Sequence, residues 1–214
     1  VSKFNIKLQE TVINKLSASL LTAVLLLAGC GSQPEKENVE VNLDAPQAKP
    51  AIALESFNSA DELKFRNASE LIKNGHYEEA IKQFKKLSGQ NSPASADANL
   101  ALAYYKMEDM DKAAKHMGIA LQKKPGNASY LSLNALIAME SGRFQEAEKS
   151  LKKALSSNKD HTLANYNLAL LYDIYYQDIP KAYNYYLKYL NLVNYEDKET
   201  VQWVEQLRYS LGEE

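Results

Sequence analysis

The chain has one cysteine, Cys30, among its 214 residues, so no disulfide can join two parts of it. Glycine and proline are scarce, at 8 and 6 residues. Pro34, Pro46 and Pro50 all precede residue 60, so the remainder has few helix breakers and room for long helical runs. Histidine occurs only at His76, His116 and His161, and no group of Cys, His, Asp or Glu has metal-ligand spacing. The sequence has no glycine-rich phosphate loop and no serine in a nucleophile motif. It therefore points to no catalytic residue, no metal and no other cofactor, and an enzyme with an unfamiliar site is the weakest functional reading. A net charge of −2 lacks the basic footprint expected of a protein that binds nucleic acid. Hydrophobic residues make up 45% and charged residues 24%, as in an ordinary globular protein.

What is present begins with an address. Lys3, Lys7 and Lys15 precede a mostly apolar run from Leu16 to Gly29. The run is shorter than the about 20 apolar residues needed to span a bilayer, and a basic stretch followed by such a run is the secretory signal pattern. Its end, Leu27-Ala28-Gly29-Cys30, resembles a bacterial lipobox. The resemblance implies a diacylglyceryl group on the Cys30 thiol, cleavage before Cys30 and acylation of the new amino terminus. Several acyl chains anchor a protein stably, whereas one holds weakly. Gly31 follows where inner-membrane lipoproteins often carry Asp, so the expected location is the outer membrane, facing the periplasm. Losing residues 1–29 removes Lys3, Lys7, Lys15 and Glu10 and leaves a net charge of −4. Such a mildly acidic body is expected to stay soluble and not to be drawn to anionic membrane surfaces. The expected organisation is a signal peptide over 1–29, an acylated cysteine and flexible tether over 30–58, and a helical domain over 59–214.

The helical part repeats itself. Ala68, Ala101, Ala135 and Ala169 recur at steps of 33, 34 and 34, and Ala80, Ala113, Ala147 and Ala182 at steps of 33, 34 and 35. A large residue follows each member of the second row by four positions: Phe84, Met117, Leu151 and Tyr186. Apolar residues within each unit sit at helical spacing, which predicts paired amphipathic helices. Asn74-Gly75, Glu108-Asp109 and Ser141-Gly142 separate the two helices of a unit. Gly75-His76-Tyr77-Glu78-Glu79-Ala80 and Gly142-Arg143-Phe144-Gln145-Glu146-Ala147 resemble the tetratricopeptide repeat family, as does Pro125 at the end of the second unit. Four units are expected, beginning near residues 61, 94, 128 and 162, the fourth with one extra residue in Tyr176-Gln177-Asp178-Ile179-Pro180. The predicted fold is all-α: a short right-handed superhelical solenoid of four helix pairs. A capping helix over 197–210 closes it with Val201, Val204 and Leu207.

The resemblance implies a concave groove lined by the first helix of each unit. Its residues would be Phe65, Ser69 and Ile72; Ala98, Leu102 and Tyr105; Ser132, Leu136 and Met139; and Tyr166, Leu170 and Asp173. Leu102, Leu136 and Leu170 form a row that serves equally as inter-helix packing. A groove of Leu, Tyr, Met and Phe suits an apolar or amphipathic protein segment. Tyrosines crowd the fourth unit, as core or as interface. Lipobox, tether and repeats together resemble lipoproteins that help assemble type IV-like pili or secretion channels. An adaptor that recruits peptidoglycan hydrolases or proteases is the alternative. Cys30→Ser should abolish acylation and leave an uncleaved or mislocalised precursor. Normal processing and membrane partitioning of that variant, read by fractionation and mass spectrometry, would sink the lipoprotein reading.

Overall fold

The computed structural model describes residues 59–212; the leader, Cys30 and the tether expected from the sequence lie outside them. Every regular element among the described residues is helical. The first unit pairs α1 (Ser59–Lys73) with α2 (Tyr77–Leu87). The second pairs α3 (Ala94–Lys106) with α4 (Met110–Lys123), and the third α5 (Ala128–Glu140) with α6 (Phe144–Ser157). In the fourth, α7 (Thr162–Leu170) runs into a π-helical turn (Leu171–Tyr175) before α8 (Ile179–Leu192). The last helix, α9 (Lys198–Ser210), covers the end of the array.

Local chemistry starts these helices. Asp109, Asn127, Asp178 and Asp197 each accept a backbone N–H three residues on, satisfying a donor that has no intrahelical partner. Each unit then turns through one residue with positive φ: Gly75 at 81°, Glu108 at 61°, Gly142 at 72° and Gln177 at 53°. In the first three units the following N–H reaches back five residues, as in His76 N–H to Leu71 O (2.8 Å) and Arg143 N–H to Ala138 O (2.8 Å).

The fourth unit corrects the expectation about its extra residue. The turn keeps its single left-handed position at Gln177, and the insertion is absorbed inside the helix instead. There the Tyr176 N–H reaches Leu171 O (3.1 Å), and Asp178 N–H reaches back six residues to Tyr172 O (2.8 Å). A widened helical turn leaves the turn and the following helix crossing in register. An enlarged loop would have displaced α8.

Packing explains the alanine rows. All eight of these alanines are fully buried, and Phe84, Met117, Leu151 and Tyr186 are buried beside them. Alanine lets two helix backbones approach, and the large residue one turn later fills the space left over. First helices of successive units touch one another, whereas second helices of successive units do not. Each second helix instead contacts the next first helix. The first helices therefore lie on the inside of the curve. Within α3 and α7 every residue from Ala94 to Tyr104 and from Leu163 to Leu170 is buried. Val204 and Leu207 of α9 are buried at the end of the array, with Val201 partly so. The described core runs from Phe65 to Leu207, so a fragment starting at residue 59 retains all of it. Ala147→Leu should overpack the third crossing and cost about 1–3 kcal/mol. Thermal melts of that fragment check this, and an unchanged midpoint would show that Ala147 is not at a close crossing.

Candidate binding groove

The expected groove residues fall into two groups. Phe65 lies in the core, its ring 5.4 Å from Phe84 in an edge-to-face contact. Ala98 and Ser132 are buried, as is Met139. In the leucine row, Leu102 is 7% exposed and Leu170 5%, so both act mainly in packing, while Leu136 is half-buried. Ser69 is half-buried and donates its hydroxyl to the Phe65 carbonyl (2.8 Å). Of the expected groove residues, the apolar side chains that keep accessible surface are Ile72, Tyr105 and Leu136.

Three polar groups run across the ends of these helices. The Tyr105 hydroxyl, from α3, lies 3.5 Å from Glu140 Oε1 of α5. Tyr175, in the π-helical turn, follows on the other side, its ring 4.0 Å from Phe144. Burial raises both phenols and the Glu140 charge adds to it; Tyr175 is pushed up to about 12. The sequence offered no sign of Glu140 as a neighbour of these tyrosines, because the pairing crosses two repeats. A carboxylate between two protonated phenols, beside Leu136, provides acceptor, donors and apolar surface for a protein segment.

Tyr166 and Asp173 have a different place, at the junction with α9. Asp173 Oδ2 accepts from Tyr186 Oη (3.1 Å) and Trp203 Nε1 (2.7 Å). The Tyr166 ring lies against Tyr186 and Tyr189 at 6.0 and 4.8 Å. Tyr189 donates to Asp197 Oδ2 (2.9 Å), which also accepts from Thr200 Oγ1 (2.6 Å). Trp203, off the expected apolar stripe of the cap, is thus its polar fastening. Much of the tyrosine cluster is structural: Tyr166, Tyr172, Tyr186 and Tyr189 are buried, while Tyr176 and Tyr195 remain exposed.

The three histidines do not meet. His161 caps α7, where Nδ1 accepts the Ala164 N–H (3.2 Å) and Nε2 faces Ser129 Oγ (3.3 Å). Burial pushes its pKa down. His116 stacks on Tyr104 and approaches Asp97 at 3.4 Å. Among the described residues, no group of three or more His, Cys, Asp or Glu could hold a metal ion.

A family model described as the tetratricopeptide repeat matches residues 65–128, 99–155 and 132–173 in overlapping passes. The chain belongs to the tetratricopeptide repeat family. A TPR repeat-containing protein of Methanocaldococcus jannaschii is 32% identical over 130 residues, 59% of this chain and 22% of that protein. Sperm-associated antigen 1 of Rattus norvegicus is 30% identical over 101 residues, 47% of this chain and 11% of that protein. The chain therefore spans well under a third of either relative. Among solved structures, Pseudomonas aeruginosa PilF shares the fold with a TM-score of 0.65 and 23% identity, over 72% of this chain and 70% of that one. A MamA protein gives 0.60 and 17%, over 73% and 85%. The first tetratricopeptide domain of Spaghetti (RPAP3), bound to the HSP90 peptide SRMEEVD, gives 0.52 and 18%, over 56% and 93%.

Tetratricopeptide arrays are protein-interaction scaffolds, and in this one the inner helices are held by the cap as well as by their neighbours. Burial raises the Asp173 carboxyl above its ordinary value, and the Trp203 and Tyr186 donors oppose that only in part. A raised folded-state value means that the folded chain holds the proton more tightly than the unfolded one. Stability from this group therefore falls as pH rises through the carboxylate range and is lowest at neutral pH. Asp173→Asn keeps an oxygen for both donors and removes the buried charge. It should raise the melting midpoint at pH 7, with the gain vanishing in acid. Asp173→Ala should instead lose about 1–3 kcal/mol for each donor left unpaired. An Asn variant less stable than wild type at neutral pH would show that the charge itself fastens the cap.

Proposed function

We propose that this protein is a non-enzymatic scaffold of the bacterial cell envelope, anchored through lipid on Cys30 in the outer membrane and facing the periplasm. In this reading it is an accessory or assembly factor of a multi-subunit machine, a type IV-like pilus or secretion system. The observation that carries it is the lipobox-like Leu27-Ala28-Gly29-Cys30 ahead of a repeat array with an inner surface suited to a protein segment. The likeness in fold to Pseudomonas aeruginosa PilF supports it.

The partner docks along the inner helices, with Leu136, Tyr105 and Ile72 giving the apolar contact and Glu140 the acceptor. Leu136 lies midway along the array and keeps part of its side chain accessible. Covering it fully is worth up to about 1.5–3 kcal/mol, whereas exposed charges on the outer helices contribute little to a protein contact. Crosslinking in cells should capture pilus or secretin subunits. Leu136→Asp should abolish that capture while the helical circular dichroism spectrum persists. Capture of peptidoglycan hydrolases or proteases alone would replace this reading with an adaptor. Turnover by the purified repeat domain in a hydrolase screen would contradict the non-enzymatic one.

A further inference from the structure

The net charge of −2 conceals an uneven distribution. The second helices α2, α4, α6 and α8 together hold eleven lysines, no arginine and five acidic residues. The first helices α1, α3, α5 and α7 hold three lysines, one arginine and five acidic residues. The positive surplus thus lies on the side of the array away from the groove.

The lysines are placed by the repeat. Lys82, Lys115 and Lys149 each follow the buried alanine of the second helix by two residues, and Lys86, Lys153 and Lys188 follow it by six. At 100° per residue these positions stand about 200° and 240° round the helix from the alanine, opposite the core. All six are exposed. Lys112, Lys123, Lys152 and Lys181 have carboxylate partners in Asp109, Asp97, Glu148 and Asp178. Among the described residues, Lys82, Lys86, Lys115, Lys149 and Lys153 form no ion pair. They lie one or more turns into their helices, while Glu78, Glu79, Asp111 and Glu146 occupy the first turns. Acids and free lysines are therefore separated along the helix axes as well.

From this arrangement we infer that the outer face of the array is a docking surface for an anionic lipid headgroup layer. Three features select that occupant over an acidic polypeptide. Among the described residues, the exposed large apolar ones are Leu63, Met107, Tyr176, Tyr195 and Tyr209, and none lies on a second helix, so this face is poor in the exposed anchors that dominate protein interfaces. The cations are all lysine, a flexible point charge, and never arginine, whose fork suits bidentate carboxylate or phosphate recognition. The lysines also recur from unit to unit along successive second helices, which fits a target whose charge is spread over an area. Juxtamembrane lysines are attracted to anionic headgroups in this additive way. The inference does not depend on the partner proposed for the groove or on acylation of Cys30.

The test uses the fragment 59–214, which retains the described core and lacks Cys30. It should co-sediment with vesicles of phosphatidylglycerol and phosphatidylcholine and not with phosphatidylcholine alone. Binding should vanish in about 0.5 M salt, where screening shortens to a few ångströms. The triple variant Lys82→Glu, Lys115→Glu, Lys149→Glu should lower partitioning by at least about tenfold, with its circular dichroism unchanged. The control triple Lys64→Glu, Lys106→Glu, Lys198→Glu, with the same net charge, should bind within about twofold of wild type. Equal binding to both vesicle types, or equal losses in the two triples, would overturn the proposal. So would tighter capture by soluble polyglutamate than by the anionic vesicles, which would assign the face to an acidic polypeptide.

Discussion

Everything in this array depends on the close approach of paired helices at two rows of buried alanines. Each unit brings a first helix and a second helix together at these positions, with a large residue one turn on filling the gap. One pair cannot bury its remaining apolar faces, so each second helix contacts the next first helix and the last pair requires α9. The constraint also explains the π-helical turn. The turn and crossing geometry recur in every unit, so the additional residue of the fourth unit is accommodated where the chain is free to widen, in the last turn of its first helix. That widening brings Tyr175 to Phe144, at the end of the polar strip formed with Tyr105 and Glu140.

The same register makes two faces of opposite character. Positions that recur on the first helices line up on the inside of the curve, where α3 and α7 are buried almost along their length. Such helices form a closely packed floor, so a partner docking there as proposed would meet a preformed surface at a low ordering cost. Positions that recur opposite the alanines on the second helices line up on the outside, and there the sequence places lysine. A scaffold of this kind can hold a protein segment on one side and lie against a charged layer on the other without the two competing.

Much of this was legible in the sequence, because alanine recurrence is a direct imprint of helix crossing. The expected starts near 94, 128 and 162 coincide with the first residues of α3, α5 and α7, and the cap over 197–210 with α9. The groove was harder to read. Repeat position tells which way a side chain points but not how closely the neighbouring helix approaches, so Leu102 and Leu170 look equivalent to Leu136 in sequence yet are more deeply buried. Asp173 falls on a groove position by count, but Trp203 and Tyr186 draw it into the cap. That fastening joins residues 30 apart through a donor lying off the helical stripe, and no periodicity reveals it. The place of the inserted residue is hidden for a related reason, since the turn-forming sequence after Tyr176 looks like the natural place for an insertion.

On the proposed reading the inner helices are the protein-binding side of the array. This reading is tested most directly by a photoreactive side chain placed in living cells at position 136, on the inner face, and separately at position 149, on the outer face. A discrete protein adduct is expected from position 136 and none from position 149. A protein adduct from position 149 with none from position 136 would contradict it.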